Sequence, residues 1–528
     1  MTDLNIIVFL CNWGPHAAYQ ALQDNASRIP VEVDMVRIPC SGRISKALLL
    51  KPFEMGADGV LLIGCKSGTC HYGTGTLTAL KNVEDTRDIL GLLGLRKDRL
   101  RLATFLPDES EELLGFLTDF YNDIKAAGKS PAASDPKEEM LAEVSDPVTQ
   151  IVAAHDVYAC QDCGKCSSAC PLALSGKPFS PWAMANAIIM GRIDSPAVQK
   201  DIWSCLTCGI CYERCPSAVN LPEFVRDIRH FLKKKGASNR YEAHGGFFQS
   251  LMRTMTSKAL KFKRWDWLPD DIQVDPESKV LFFGGCAPYF DVFFRNHLGI
   301  RTSDIIIDSL KLLNFFDINP ALLNDERCCG HDLIWSGDKE NFLRLAKLNV
   351  EAIQDMGIEE LVTTCPECYW TLAHDYPANG IEINFKVTHI YDLLEKEIDK
   401  GAVGFKEFDH NLTFQDPCRL SRFEHRSELP GKLLNRLNPK AFKEMQDSGT
   451  GAVCCGNCAW IGCDSFSKAL QVKRIRQAHD TGSDILVTAC PKCLIHLSCG
   501  MEDPFLGKEL KMEMMDLVSI MAKTIQWE

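Results

Sequence analysis

No stretch of this 528-residue chain is apolar for long enough to cross a bilayer. Membrane attachment would therefore need a separate subunit. No leader is visible either: Met1-Thr2-Asp3-Leu4-Asn5 gives way at once to the strand-like run Ile6-Ile7-Val8-Phe9-Leu10. Basic residues are in deficit, and a formal net charge of −12 argues against nucleic acid as a partner. No Gly-x-Gly-x-x-Gly fingerprint follows a strand, so a dinucleotide site is not expected. No nucleophilic triad is visible. The 25 cysteines are odd in number and mostly fall in short Cys-x-x-Cys clusters, which excludes an ordinary disulfide framework. That spacing reads as metal ligation in a reducing compartment, and a cytoplasmic location is expected. The length suggests three or four domains, and an apolar fraction of 46% suffices for several cores.

What is present is dominated by one cysteine pattern written twice. The first copy is Cys286, Cys328-Cys329-Gly330 and Cys365-Pro366-Glu367-Cys368. The second is Cys418, Cys454-Cys455-Gly456 and Cys490-Pro491-Lys492-Cys493. The flanks repeat as well, with Leu361-Val362-Thr363-Thr364 before Cys365 and Leu486-Val487-Thr488-Ala489 before Cys490. This is the signature of a duplicated domain with one metal centre per half. Lys279 to Phe283 is an apolar run ending in Gly284-Gly285, so Cys286 is expected where a strand stops. Proline after Cys365 favours the first turn of a helix, where N–H groups and the dipole stabilise thiolates. Gly330 frees the turn that aims both Cys328 and Cys329 inward. Five thiolates are one more than tetrahedral zinc takes. Two zinc sites or a thiol-rich core are the alternatives.

The N-terminal region alternates strand-like and helix-like runs. Strands are expected at 6–10, 31–38 and 59–64, with a helix over 44–54, which implies a small α/β domain with a parallel sheet. Cys11, Cys40 and Cys65 each follow a strand, and Cys70 comes five residues later. Ligand sites gather beyond the carboxyl ends of such strands, so these four could hold a 2Fe–2S cluster. Unligated buried cysteines are the alternative, and His71 reads as a structural or surface residue. Lys-, Ala-, Ser-, Pro- and Glu-rich residues follow, with 129–150 expected as a linker.

The middle region carries two Cys-x-x-Cys-x-x-Cys-x-x-x-Cys-Pro runs. One is Cys160, Cys163, Cys166 and Cys170; the other is Cys205, Cys208, Cys211 and Cys215. In two-cluster ferredoxins the fourth cysteine of each run serves the other cluster. One cubane is therefore expected on Cys160, Cys163, Cys166 and Cys215, and the other on Cys205, Cys208, Cys211 and Cys170. Helical segments from Pro181 and Leu221 point to an α-helical ferredoxin. The basic strip from Lys258 to Arg264 reads as a solvated face or docking strip. Three cysteines are left over: Cys458, which could touch the second duplicated site, Cys463 and Cys499.

Three resemblances follow. The duplicated pattern, from Lys279 to the C-terminus, resembles the B subunit of heterodisulfide reductase, and also iron–sulfur subunits of quinone-linked oxidases. In the reductase family each five-cysteine set holds a non-cubane 4Fe–4S cluster, and the two flank the disulfide being cleaved. The middle region resembles the C subunit of the same enzyme. Cys11-Asn12-Trp13, Cys40-Ser41-Gly42-Arg43, Gly56 to Val60 and Gly64-Cys65 through Cys70-His71-Tyr72 resemble the delta subunit of the viologen-reducing, F420-non-reducing hydrogenase. That family often has a further cysteine where Gly14 stands here.

The resemblances imply a multidomain α/β and α chain. Its parts are a small α/β parallel-sheet domain over 1–128, an α-helical ferredoxin domain over 151–255 and a duplicated α/β Cys-Cys-Gly domain over 277–528, divided into 277–405 and 406–528. They imply one 2Fe–2S, two cubane and two non-cubane 4Fe–4S clusters. FAD is expected only in a partner resembling the flavin-carrying A subunit of heterodisulfide reductase. The other implied partners are a hydrogenase or formate dehydrogenase, ferredoxin and a small-molecule disulfide, in a hetero-oligomer. The implied role is reduction of a disulfide such as CoM-S-S-CoB in a flavin-based electron-bifurcating complex, with the ten duplicated cysteines catalytic. An iron–sulfur subunit relaying electrons in a quinone-linked oxidoreductase is the competing expectation. A non-catalytic redox sensor or zinc scaffold is the third.

Overall fold

The computed structural model describes residues 4–527 apart from 26–28, 30–32, 93–94, 132–146, 240–241, 261, 263, 295–297 and 402. Most of the expected linker, part of the basic strip, and Val31 and Glu32 of the expected second strand lie outside the described residues. The described residues form two compact units. One comprises those within 1–146 together with Tyr158–Cys163; the other comprises those of Pro147–Val157 and Gly164–Glu528.

In the first unit, β1 (Ile6–Cys11), β2 (Val33–Ile38), β3 (Gly59–Cys65) and β4 (Leu100–Phe105) form one parallel sheet in the order β2-β1-β3-β4. Period-two alternation divides its core. Ile6, Val8, Leu10, Leu61 and Ile63 face the helix Ser110–Ala127 through Leu113, Leu117 and Phe120. Phe9, Val60 and Leu62 face the other way, toward Leu49, Phe53, Val83 and Leu90. A strand buried on both faces reads as a continuous apolar run, as β3 does. The strand order reverses between β1 and β3, which opens a crevice beyond their carboxyl ends. Cys11 and Cys65 are the last residues of those two strands.

The second unit begins with short helices, including Pro181–Ile189, Pro196–Ser204 and Leu221–Lys234. Each starts with proline at its first or second position and a side-chain cap from Ser180, Ser195 or Asn220. Two parallel sheets follow. The first is β5 (Val280–Phe283), β6 (Glu360–Thr363) and β7 (Lys386–His389), in that order. The second contains β8 (Phe408–Gln415), β9 (Pro439–Phe442), β10 (Ile485–Thr488) and β11 (Glu513–Asp516), in the order β11-β10-β8-β9.

These sheets make the duplication visible. β5 and β8 each end three residues before a cysteine, and β6 and β10 each end two residues before a Cys-Pro. β7 and β11 each lead directly into a helix. An isolated parallel bridge between Leu281 and Ala321 stands where the second sheet has β9. Among the described residues no helix is long and apolar enough to cross a membrane.

Candidate metal centres

In the first unit the sheet edge gathers four sulfurs. Cys11 Sγ lies 3.7 Å from Cys65 Sγ and hydrogen-bonds to Cys40. A Cβ built on Gly75 would stand 2.6 Å from Cys40 Sγ and 2.8 Å from Cys70 Sγ, so both sulfurs press on that backbone. The Cys40 contact, with N–H groups of Trp13 and Ser41, holds the Cys11 thiol down to about 6. Burial pushes Cys65 up to about 11. Gly14, where a further cysteine could have stood, offers its N–H to Cys65 instead. His71 stacks on Trp13 with ring centroids 3.7 Å apart, a packing role.

The two ferredoxin-like runs share a backbone pattern. Asp162 and Thr207, each two residues past the first cysteine, have φ near +50° and +44°, and Gly164 and Gly209 are left-handed too. Consecutive turns of this kind point N–H groups at a central anion. In the second run the Thr207 N–H lies 3.4 Å from Cys205 Sγ. Cys170, Cys205 and Cys208 are all electrostatic neighbours of Cys211, which brings the fourth cysteine of the first run to the second run. Burial pushes Cys170 up to about 12. The Val219 N–H points at Cys215 Sγ from 3.4 Å. Cys160 and Cys163 group with the first unit, Cys166 with the second.

The duplicated halves arrange their cysteines in the same order. In the first, contacts run Cys286–Cys328–Cys329–Cys368–Cys365, with Cys286 Sγ 3.0 Å from Cys328 Sγ. In the second they run Cys418–Cys454–Cys455–Cys493–Cys490. The two rows meet at Cys365 and Cys490, equivalent positions of the repeat. Cys365 and Cys490 are the N-caps of the helices beginning at Pro366 and Pro491. Gly330 and Gly456 have φ of +87° and +99°, the left-handed turn that lets adjacent cysteines face one site. None of the 25 cysteines is in a disulfide. A cluster fits this donor set: five soft sulfurs exceed what zinc takes, and each set is joined in one row by sulfur contacts.

Buried polar side chains brace these rows, and sequence reading passed over them. Glu326 accepts from the N–H groups of Gly284 (3.0 Å) and Gly285 (2.9 Å) and from Arg264 (2.6 Å), fixing the loop before Cys286. Tyr376 donates to the Cys329 carbonyl at 3.1 Å and Asn349 to that of Cys328 at 3.1 Å. A π-helical turn, Arg419–Phe423, directly follows Cys418. From it Arg419 donates to the Thr207 carbonyl (2.8 Å), to His331 Nε2 (3.2 Å) and to Cys458 Sγ (3.5 Å). Its guanidinium lies 4.0 Å from the ring centres of both Trp335 and Phe423, in the corner where the two rings meet nearly at right angles. Arg422 donates to the carbonyls of Cys208 (2.7 Å) and Ala452 (2.8 Å).

The second ferredoxin-like run therefore docks on the second five-cysteine set, and Cys208 and Cys454 touch. That contact, first among the causes, holds Cys208 down to about 6. Lys492 pairs with Glu367 at 2.5 Å and with Asp332, and His331 sits 3.0 Å from Asp332. His331, Glu367 and Cys458 lie within 4.8 Å of one another, but His331 Nε2 accepts from Arg419 and Lys492 holds Glu367. Two cations fill the space a third would need, so the trio is an ion-pair network. Cys458 bonds to Thr207 (3.1 Å) and Arg419, outside the sulfur row. Cys463 is exposed and Cys499 half-buried. Glu367 and Lys492 fill the x of the two Cys-Pro-x-Cys motifs, a signal that could have pointed to this network; Glu326 carries none.

Known proteins match this arrangement piece by piece. The family model for the methyl-viologen-reducing hydrogenase delta subunit matches residues 6–128. A 4Fe–4S dicluster domain matches 156–219, and the cysteine-rich domain matches twice, at 280–373 and 412–498. The D subunit of the dihydromethanophenazine:CoB–CoM heterodisulfide reductase of Methanosarcina acetivorans is 28% identical over 316 residues, 58% of this chain and 74% of that protein. The B subunit of the fumarate reductase (CoM/CoB) of Methanothermobacter marburgensis is 26% identical over 253 residues, 48% of each chain. The iron–sulfur D subunit of the F420-non-reducing hydrogenase vhc of Methanococcus voltae is 34% identical over 123 residues, 23% of this chain and 85% of that one. The chain is an iron–sulfur oxidoreductase of the heterodisulfide reductase type, and through its first 128 residues it belongs to the family of the hydrogenase delta subunit.

Proposed function

We propose that this chain carries electrons from a hydrogenase or formate dehydrogenase, through a flavin partner resembling the A subunit of heterodisulfide reductase, to a small-molecule disulfide. In this reading residues 1–128 hold a 2Fe–2S cluster on Cys11, Cys40, Cys65 and Cys70. Residues 129–150 are a linker. Residues 151–255 form an α-helical ferredoxin with cubanes on Cys160, Cys163, Cys166 and Cys215, and on Cys205, Cys208, Cys211 and Cys170. Residues 277–528 hold two non-cubane 4Fe–4S clusters on the ten duplicated cysteines. The partner's FAD would split an electron pair, one electron going to ferredoxin and the other to the disulfide branch.

The observation that supports this most is the pair of identical sulfur rows meeting at Cys365 and Cys490. A disulfide consumes two electrons and two protons to give two thiols, and cluster sites supply electrons one at a time. Two facing sites suit one disulfide. The chain's own residues bind and orient: Glu326 fixes the Cys286 loop, Tyr376 and Asn349 the Cys328-Cys329 turn, and Arg419 and Arg422 the seam to the second ferredoxin run. The Cys208–Cys454 contact makes the second set the one that electrons reach first.

The test is paired. Cys329→Ala and Cys455→Ala should each abolish thiol release from a panel of low-molecular-weight disulfides, while the ferredoxin sites still accept electrons by spectroscopy. Thiol release surviving in either variant, or wild-type protein reducing a quinone analogue and no disulfide, would contradict the proposal.

A further inference from the structure

The two sulfur rows run in the same order and differ in charge. Three buried positions at fixed offsets from equivalent cysteines differ, all in the same sense. One residue after Cys286 stands Ala287; one after Cys418 stands Arg419. Four residues after, Phe290 is matched by Arg422. Three residues after Cys329 stands Asp332; three after Cys455 stands Cys458. At each place the second half is the more positive. The other buried cations do not offset this. Beside the first row Arg264 is met by Glu326 at 2.6 Å and Arg327 by Asp325 at 3.1 Å; beside the second, Arg474 has Asp416 at 3.8 Å. Where the rows meet, Lys492 of the second half holds two carboxylates of the first, Glu367 at 2.5 Å and Asp332, so one cation faces two anions there.

We propose that the two five-cysteine sites differ in reduction potential, the second above the first, and that Arg419, Arg422 and Asp332 set the order. A buried fixed charge acts strongly on an added electron because the surroundings screen it little. Arg419 and Arg422 both donate to carbonyls of the ferredoxin loop, at Thr207 and Cys208, so their charge lies on the seam an arriving electron crosses. The first electron would rest at the second site, beside the ferredoxin run, until another follows. A one-electron attack on the disulfide from the distant first site is thereby disfavoured. Arg419, Arg422 and Asp332 are tuning residues in this scheme.

This inference rests on both rows holding clusters, and the experiment separates the two claims. Iron content of the wild-type chain tests the clusters; potentiometric titration followed by electron paramagnetic resonance tests the order. Two midpoints are expected from the duplicated domain. Cys329→Ser should retain the higher and Cys455→Ser the lower. In the otherwise intact chain, Arg422→Met should lower the higher midpoint, Arg422→Lys should restore most of it, and Asp332→Asn should raise the lower midpoint. The charge variants decide the question if a cysteine variant fails to fold. Coincident wild-type midpoints in a fully loaded chain, or Arg422→Met shifting only the lower midpoint, would overturn the proposal.

Discussion

Arg419 joins three parts of the molecule, and its removal has a calculable cost. In Arg419→Met the Thr207 carbonyl, His331 Nε2 and Cys458 Sγ each lose a donor, at 2.8, 3.2 and 3.5 Å in the wild type. A buried acceptor left unpaired costs about 1–3 kcal/mol. The guanidinium also lies 4.0 Å from the ring centres of Trp335 and Phe423, and a desolvated contact of this kind contributes about 2 kcal/mol. Methionine fills much of the volume, and the penalty for burying a cation disappears, so the sum is reduced. We expect a net loss of about 3 kcal/mol. Arg419→Lys, which keeps the charge without the planar fork, should fall between the two. Denaturant unfolding followed by the visible absorbance of the intact protein reads the stability. Rapid-mixing reduction reads electron passage from the Cys205–Cys211 site to the Cys418–Cys493 set, which should slow while the iron content is kept. A methionine variant with the wild-type midpoint and wild-type passage would refute the claim that this arginine seals the seam.

Gly75→Ala places a Cβ against the sulfurs of Cys40 and Cys70, so it should cost the chain about two iron atoms and leave thiol release from an artificial donor intact; iron analysis with electron paramagnetic resonance checks it. Burial, acting first, pushes Asp516 up to about 7, and its Oδ2 has no hydrogen-bond partner while Oδ1 accepts from Tyr391 and the Val518 N–H. A raised carboxyl stabilises the fold fully below its unfolded value near 4 and loses that contribution as pH rises through 7, so wild type should lose about 1.4 kcal/mol between pH 6 and pH 8 from this group. Asp516→Asn should flatten that fall, which melting curves at the two pH values would reveal; an unchanged slope would be the contrary result.

Much of the fold was legible where local pattern and chemistry coincide. The strands ending at or just before Cys11, Cys65, Cys286 and Cys365 announce themselves as apolar runs stopped by a cysteine or glycine, and Pro366 and Pro491 mark helix starts. β4 was not read, because Arg101 and Thr104 interrupt its apolar run and it lies on the sheet edge. β7 and β11 were missed for a related reason: four residues with an exposed first position carry little periodic signal. The grouping of sulfurs into two rows could be expected from the repeat, but the meeting of Cys365 with Cys490 could not, since it depends on how the halves pack. The same holds for Arg419, 212 residues from Thr207 in sequence, and for Glu326, whose meaning comes from two glycine N–H groups and Arg264.

The measurement that bears most directly on the account is iron and acid-labile sulfide per chain, with zinc measured on the same sample prepared without oxygen. Four sulfurs at one sheet edge, eight in the ferredoxin-like runs and ten in the duplicated rows predict about eighteen iron atoms and no stoichiometric zinc. A count of about eight to ten iron atoms with zinc present would contradict the assignment of the duplicated cysteines to iron–sulfur clusters.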